Sequence, residues 1–165
     1  MNKNEYHPVL VFTDGAARGN PGNGGYGVVV INREANRVYE MGQAKNPTTN
    51  NEMELAAVVA ALQYLAGEDL RQATLFTDSK YVFQGVSGWR FGWARNGWKT
   101  KEGEPIKNLE LWQRAHQLLT TAGFIGIDWV HLPGHMNIHG NERADAIATA
   151  YADGVDPGLV QGRPD

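Results

Sequence analysis

The sequence predicts an α/β fold in which a five-stranded mixed sheet is flanked by helices. Three observations support this prediction. The first 44 residues hold three β-rich runs joined by short links, which is typical of antiparallel strands. From residue 49 the apolar residues recur at helical spacing instead. Beyond residue 72, short apolar runs alternate with further helical patterns, so the later strands are expected to run parallel.

The predicted antiparallel part begins with two apolar runs, residues 9–13 and 26–31. The segment between them, residues 15–25, is rich in glycine and is expected to be a connecting loop. A weaker run at residues 37–44 follows a predicted turn near Asn36 and completes the unit of three neighbouring strands.

The clearest predicted helix starts near residue 49 and stops near Gly67. Thr48, Thr49 or Asn50 can cap its start, and its apolar residues recur along one face. The remaining elements are expected in this order: a short buried strand at 73–77, a short helix at 80–86, a helix that ends near Gly123, a strand at 125–131 and a helix at 141–151.

Composition limits the class of protein. A chain of 165 residues with 42% hydrophobic content is the size of one ordinary domain. We expect that domain over residues 1–152, followed by a loosely held tail over 153–165, where prolines and glycines cluster. The absence of cysteine excludes disulfides and thiolate metal sites. The absence of long apolar runs is typical of a soluble, cytoplasmic protein, which we expect to be a monomer with no membrane partner.

Two aspartates end predicted strands in nearly identical contexts, Phe-Thr-Asp at 12–14 and again at 76–78. A carboxylate at the end of a buried strand is costly unless a cation or hydrogen-bond donors meet it. Either aspartate alone could cap a helix or form a turn. Because ligands of such sheets bind at the carboxyl ends of strands, Asp14 and Asp78 together indicate a shared site.

Two helical acids are expected to join this pair. Glu54 lies in the first turns of its helix beside the apolar stripe, and Asp145 lies next to Ala144 at the edge of a buried face. Either one alone is typical of a solvated helix surface. Four carboxylates at one point cannot all ionise without cations, and hard divalent ions prefer oxygen ligands. The set therefore predicts two magnesium ions roughly 4 Å apart.

Several motifs occur in order between residues 9 and 151: FTDG at 12–15, GNPG at 19–22, GGYG at 24–27, TTNNEMEL at 48–55, TDS at 77–79, and GH at 134–135 before GNERAD at 140–145. In this combination they resemble ribonuclease H of the bacterial type I class, ribonuclease HI. The resemblance implies a ribonuclease H-like fold. It also implies a metal-dependent endoribonuclease that hydrolyses the RNA strand of RNA–DNA hybrids and leaves 5′-phosphate and 3′-hydroxyl ends.

The resemblance also assigns roles within the site. Asp14 would bridge two ions, with Glu54 and Asp78 on one side and Asp145 on the other. Mg²⁺ is the expected cofactor, with Mn²⁺ as a substitute. His135, on the loop before the last helix, would assist proton transfer or product release, although a loop histidine without that motif is ordinarily a surface group.

Predicted substrate contacts surround these acids. The resemblance places Asn20, Asn50 and Asn51 against 2′-hydroxyls and base edges of the hybrid, and the 2′-hydroxyl is what distinguishes RNA from DNA. Asn50 and Asn51 could equally cap a helix. The resemblance places Thr49 against a phosphate of the DNA strand, and it leaves the contact of Lys80 open.

Residues 89–107, the basic segment, interleave aromatic and cationic side chains. Five positive and two negative side chains give this segment a net charge of +3, although the whole chain carries −3. The resemblance implies a protrusion that holds the DNA strand, with contacts from Trp89, Trp93, Lys99 and Lys107. The tryptophans are also suited to packing within the segment itself.

Three other functions fit parts of the pattern. An integrase or junction resolvase would use similar acids, but it gives no reason for Asn50, Asn51 and the basic segment. A hybrid-binding module would bind without cleavage and without magnesium. An aspartyl phosphatase would need a second acid two positions after Asp14, where the chain has Ala16.

Overall fold

The computed structural model describes residues 5–134 and 138–162. Its strands are β1 (Val9–Ala17), β2 (Gly22–Asn32), β3 (Arg37–Thr48), β4 (Gln72–Thr77), β5 (Gly126–His131) and β6 (Gln161–Gly162). Its helices are α1 (Asn50–Gly67), α2 (Lys80–Gln84), α3 (Arg90–Arg95), α4 (Leu109–Thr121) and α5 (His139–Ala152), with a π-helical turn, Gly85–Trp89, between α2 and α3. None of these helices is long and apolar enough to cross a membrane.

The strands form one mixed sheet in the order β5-β4-β1-β2-β3-β6. As predicted, β1, β2 and β3 pair antiparallel, while β4 and β5 run parallel to β1. Thr13 of β1 lies opposite Thr77 of β4. This register brings Asp14 and Asp78, the residues that follow, to the same edge of the sheet.

The prediction of five strands was wrong by one. β6 pairs antiparallel with the outer edge of β3, with Gly162 opposite Val38 and Gln161 opposite Tyr39. A strand of two residues has no apolar alternation, so the sequence pattern cannot reveal it. Its pairing is a backbone interaction with an otherwise open sheet edge.

The glycine-rich segment 15–25, expected to be a loop, lies largely in β1 and β2. Its glycines allow helices to pack directly on the strand backbone. A Cβ atom built on Gly25 would lie 2.4 Å from Cβ of Tyr151, and one on Gly27 would lie 2.4 Å from the carbonyl oxygen of Ala144. Both contacts are made by α5, so these glycines mark close approach rather than a turn.

The two faces of the sheet carry separate apolar layers, because successive side chains of a strand point to opposite faces. One layer packs beneath α1 and α4 and includes Val11, Val28, Leu62 and Trp112. The other packs beneath α5 and includes Leu10, Phe12, Val29, Ala144 and Ile147. By the same alternation Asp14 lies on the face that α5 covers.

The helix predicted at 80–86 is the first part of a longer helical segment that runs to Arg95. At its centre a Cβ atom on Gly85 would lie 1.9 Å from the ring of Trp112, so the π-helical turn rests directly on α4. The hydroxyl of Tyr81 accepts hydrogen bonds from Trp112 Nε1 at 2.8 Å and from Asn108 Nδ2 at 3.0 Å. These contacts anchor on the core the helical turns that lead into the basic segment.

Candidate functional site

Three of the four predicted acids converge at the edge formed by β1 and β4. One carboxylate oxygen from each of Asp14, Glu54 and Asp78 lies within 4.8 Å of the others. Glu54 reaches this point because α1 begins against β1: a Cβ atom on Gly15 would lie 2.3 Å from the backbone nitrogen of Glu54. The strand order supplies two acids, and this close approach supplies the third.

Burial disfavours ionisation of Asp14 and Glu54, two members of the acidic triad (Asp14, Glu54, Asp78). Asp14 is 4% exposed. Burial, opposed by a hydrogen bond from Glu54 and reinforced by the charges of Asp78 and Asp145, raises the pKa of Asp14 to about 7. Burial and the neighbouring Asp14 raise the pKa of Glu54 well above its ordinary value. Without a cation, Asp14 and Glu54 therefore retain protons near neutral pH.

The triad has the donor set of a hard divalent cation. Atom Oε2 of Glu54 is closed off from solvent and has no hydrogen-bond partner among the residues that the structure describes. A buried acceptor without a donor is costly, and a cation would satisfy it. Several carboxylate oxygens at one point are the ligands that Mg²⁺ and Mn²⁺ prefer. The residues present therefore fit a divalent metal.

Asp145 lies outside the triad, on the exposed side of α5. It is nevertheless close enough to hydrogen-bond Asp14 and to raise the pKa of that carboxyl. The fourth acid thus stands at the open side of the site, on a different element from the other three.

His135 lies outside the described residues, so its predicted role stays a prediction. A second histidine, His131, lies near the triad, although no role for it is predicted from the sequence. Nε2 of His131 is 3.3 Å from the backbone oxygen of Asp78, and its ring packs against Phe83 at a centroid distance of 5.4 Å.

Polar side chains surround the start of α1 beside the triad. Thr49 is the N-cap, and its hydroxyl accepts a hydrogen bond from the backbone of Glu52 at 3.1 Å. Oδ1 of Asn50 accepts a hydrogen bond from the backbone of Ala17 at 2.7 Å, which links α1 to the end of β1. Asn50 and Asn51 are exposed, as is Asn20 on the β1–β2 connection. All three asparagines are thus accessible to a ligand.

The two predicted tryptophan contacts of the basic segment differ in surroundings. Trp93 is half-buried and packs on Trp112 at a centroid distance of 5.3 Å. Trp89 packs on Trp93 at 5.8 Å and remains 42% exposed. The side chains of Lys99 and Lys107 are exposed, as is that of Lys80. Trp93 therefore supports the segment, whereas Trp89 and the lysines face solvent.

Two arginine–carboxylate pairs near the site were not predicted from the sequence. Arg18 donates to both carboxylate oxygens of Asp153 at 2.7 and 2.8 Å. It also lies close enough to Asp145 for an electrostatic attraction between the two side chains. Arg143 of α5 pairs with Glu40 of β3. Side chains two positions apart on a strand point to the same face, and Val38 points inward. The sequence could therefore have indicated that Glu40 is buried.

Comparison with known proteins agrees with this geometry. The family model described as RNase H matches residues 6–153. A protein named Ribonuclease H from Cyanothece sp. is 46% identical over 153 residues, which cover 93% of this chain and 94% of that protein. One of the same name from Paracidovorax citrulli is 45% identical over 151 residues, which cover 92% of this chain and 96% of that protein.

A solved structure shows the same fold. It is LC9-RNase H1, described as a type 1 RNase H with the type 2 active-site motif, and it superposes with a TM-score of 0.77 at 32% identity. The superposition covers 93% of this chain and 76% of that one.

Proposed function

The chain belongs to the ribonuclease H family, and from this premise we propose that it hydrolyses the RNA strand of RNA–DNA hybrids at the acidic triad and Asp145. The observation that carries the proposal is the convergence of three carboxylates within 4.8 Å at the sheet edge, in a chain whose relatives are named Ribonuclease H. Their number and burial exceed what capping or turn formation needs.

We assign two divalent ions to this site, Mg²⁺ by preference and Mn²⁺ as a substitute. Asp14 would contact both ions, Glu54 and Asp78 one of them, and Asp145 the other. When bound, such ions supply Lewis acidity that lowers the pKa of an attacking water and stabilises the departing 3′ oxygen. The products are then a 5′-phosphate and a 3′-hydroxyl, and no covalent bond to the protein forms.

The remaining residues hold the hybrid. The exposed asparagines Asn20, Asn50 and Asn51 are suited to 2′-hydroxyls and base edges, which carry both donors and acceptors. Thr49, Trp89, Trp93, Lys99 and Lys107 are assigned to the DNA strand. We further propose that the protein acts as a cytoplasmic monomer; light scattering on the purified chain tests the oligomeric part.

The decisive experiment is cleavage of an end-labelled RNA–DNA hybrid by the protein and by Asp14→Asn, with and without Mg²⁺. Single-stranded RNA, duplex RNA and duplex DNA serve as competing substrates. We expect metal-dependent cutting of only the hybrid's RNA, and its loss in the variant. Binding without cutting would point to a recognition module, and cutting of duplex DNA would point to an integrase or resolvase.

A further inference from the structure

A charged side chain is buried in β3 on the face that α5 covers. Glu40 is 3% exposed, and both of its carboxylate oxygens are bonded by one guanidinium. Nε of Arg143 donates to Oε2 at 2.8 Å, and Nη2 donates to Oε1 at 2.9 Å. This bidentate arrangement joins α5 to the sheet in a fixed direction.

The end of the described chain closes over this pair. Nη2 of Arg143 also donates to the carbonyl oxygens of Pro157 and Gly158, both at 3.0 Å. The backbone nitrogen of Val160 donates to Oε1 of Glu40 at 2.8 Å, and the backbone nitrogen of Glu40 donates to the oxygen of Val160 at 2.9 Å. We call the set formed by Glu40, Arg143 and residues 157–160 the clasp.

The clasp is a well-satisfied buried ion pair, and such pairs are sensitive to the loss of one member. Removal of one partner leaves a buried charge without compensation, whereas an apolar substitute for the whole pair would serve stability as well or better. The presence of the pair is therefore weak evidence for stability. Its directional hydrogen bonds are better suited to fixing the place of α5.

The apolar contacts of α5 leave a need for such a fixed point. Toward β1 the helix packs on the ring of Phe12, but toward β2 and β3 it lies on glycines: Cβ atoms on Gly25, Gly27 and Gly42 would each approach it within 2.8 Å. Glycines allow close approach but present no side chains that interlock with the helix. The α5 N-cap, Ile138, also forms no side-chain cap hydrogen bond.

Arg143 lies two residues before Asp145 on this helix, in its first turns. Asp145 is the one proposed metal ligand on α5, and the other three are held by β1, α1 and the end of β4. Any movement of the first turns of α5 relative to the sheet therefore changes the separation between Asp145 and Asp14.

We propose that the clasp sets the position of α5 over the sheet and thereby aligns Asp145 with the acidic triad. Glu40 and Arg143 are positioning residues in this scheme, because neither is assigned to metal or substrate. This inference rests on the proposed function. It adds that residues 157–160 are needed for full activity although they lie outside the site.

The test compares Arg143→Gln and Arg143→Lys with a matched control, Arg71→Gln. Arg71 also pairs with a carboxylate, at 2.7 Å from Asp69, and donates to the backbone oxygen of Gly123 at 2.9 Å. It immediately precedes β4, a strand that carries no clasp residue. All rates are measured at a temperature at which circular dichroism shows each variant to be folded.

For Arg143→Gln we expect kcat to fall about tenfold with KM for the hybrid unchanged, because a displacement of a catalytic group by about 1 Å can cost up to 10²-fold. The Mg²⁺ concentration for half-maximal rate should rise. Arg143→Lys, which keeps the charge but not the bidentate geometry, should be intermediate. Arg71→Gln should match the wild type.

A second readout needs neither metal nor substrate. Amide hydrogen exchange of metal-free Arg143→Gln should be faster in the first turns of α5 and unchanged in β1. If Arg143→Gln does not fold, a chain ending at residue 156 replaces it, because this chain lacks the tail contacts but keeps the Glu40–Arg143 pair. We expect the same changes in kcat and in hydrogen exchange of α5, but smaller.

The outcomes separate this inference from the function on which it rests. If the wild type does not cut hybrids, the proposed function fails, and the exchange of α5 still decides whether the clasp holds the helix. If the wild type cuts but folded Arg143→Gln keeps full kcat, or exchange in α5 is unchanged, the clasp does not position Asp145. An equal loss in Arg71→Gln would likewise reduce the effect to general stability.

Discussion

Asp14 is the residue at which stability and function are most clearly opposed. Without a cation, burial raises the pKa of Asp14 from 3.8 to about 7; the hydrogen bond from Glu54 opposes this shift, and the charges of Asp78 and Asp145 add to it. A carboxyl whose pKa is raised on folding binds its proton more tightly in the folded state. Its contribution to stability is present at low pH and is lost as the pH rises through about 7.

We therefore expect the metal-free protein to lose stability between about pH 4 and pH 7, by up to about 4 kcal/mol from this group alone. Urea unfolding in the presence of a chelator, repeated across this range, measures the effect. Added Mg²⁺ should restore stability at pH 8, where the carboxylates are ionised. A stability that rises with pH in the chelated protein would contradict the assignment.

Asp14→Asn should remove the part of this pH dependence that Asp14 contributes. The amide keeps an oxygen that can accept the 2.9 Å hydrogen bond from the backbone of Gly15, but it carries no charge. We expect the metal-free variant to be about 1–3 kcal/mol more stable than the wild type at pH 8, and inactive. Asp128→Asn is the control and should change little, because this carboxylate of β5 is exposed and pairs with His7.

Some residues of the molecule could be assigned a place from the sequence and others could not, for a physical reason. Asp14 and Asp78 could be predicted because each follows an apolar run that fixes its place at a strand end. The alternation of β3 indicates that Glu40 is buried, but its partner Arg143 could not be predicted, because it is 103 positions away and the pairing depends on a helix crossing the sheet. Local patterns carry no information about such a distance.

At the scale of elements, the basic segment combines two kinds of tryptophan. Trp93 packs on Trp112 and is half-buried, so Trp93→Ala should destabilise the protein by about 2–4 kcal/mol. Trp89 is 42% exposed, so Trp89→Ala should cost less than about 1.5 kcal/mol but raise KM for the hybrid. Thermal unfolding and steady-state kinetics of both variants test this division, which would be wrong if Trp89→Ala left KM unchanged.

The π-helical turn gives a second prediction for this segment. A Cβ atom on Gly85 would overlap the ring of Trp112, so Gly85→Ala should destabilise the protein by about 2–4 kcal/mol. Gly88 lies in the same turn with no atom within 4 Å of its Cβ position, so Gly88→Ala should be neutral or slightly stabilising. Denaturant unfolding of the pair checks this, and equal effects would show that the turn does not rest on Trp112.

Elements with strong periodicity were predictable, and those set by close packing were not. Helix α1 ends at Gly67 as predicted, because its apolar stripe and its cap at Thr49 are local signals. The prediction that the glycines of β2 form a loop was wrong. A sequence shows that a glycine lacks a side chain, but it does not show which part of the fold occupies that space. Here the backbone of α5 fills it.

At the scale of the whole molecule, charge is distributed unevenly. Residues 89–107 carry a net charge of +3 within a chain of net charge −3. The rest of the surface therefore repels the phosphates of a nucleic acid, and the basic segment attracts them. We expect hybrid affinity to fall steeply with salt, and Lys99→Ala or Lys107→Ala to reduce the slope of log affinity against log salt by about one each. Fluorescence anisotropy at several salt concentrations, with Ca²⁺ in place of Mg²⁺ to prevent cleavage, provides the slopes.

The tail beyond α5 determines where the folded unit ends. The division at residue 152 remains a prediction, yet Leu159 packs on the apolar layer under α5 and Val160 bonds to Glu40. A chain ending at residue 152 would leave Oε1 of Glu40 with fewer donors in a buried place. We expect it to fold with a free energy of unfolding lower by about 2–4 kcal/mol.

Urea unfolding of the shortened chain against the full chain measures this difference, with Val155→Ser as the control because that tail side chain is 58% exposed. A shortened chain as stable as the full one would mean that residues 153–165 are held loosely, as the sequence predicts. A loss confined to the shortened chain would instead place the clasp within the domain. The sheet would then depend on β6 and the clasp to cover the outer edge of β3, which β1 and β2 leave open.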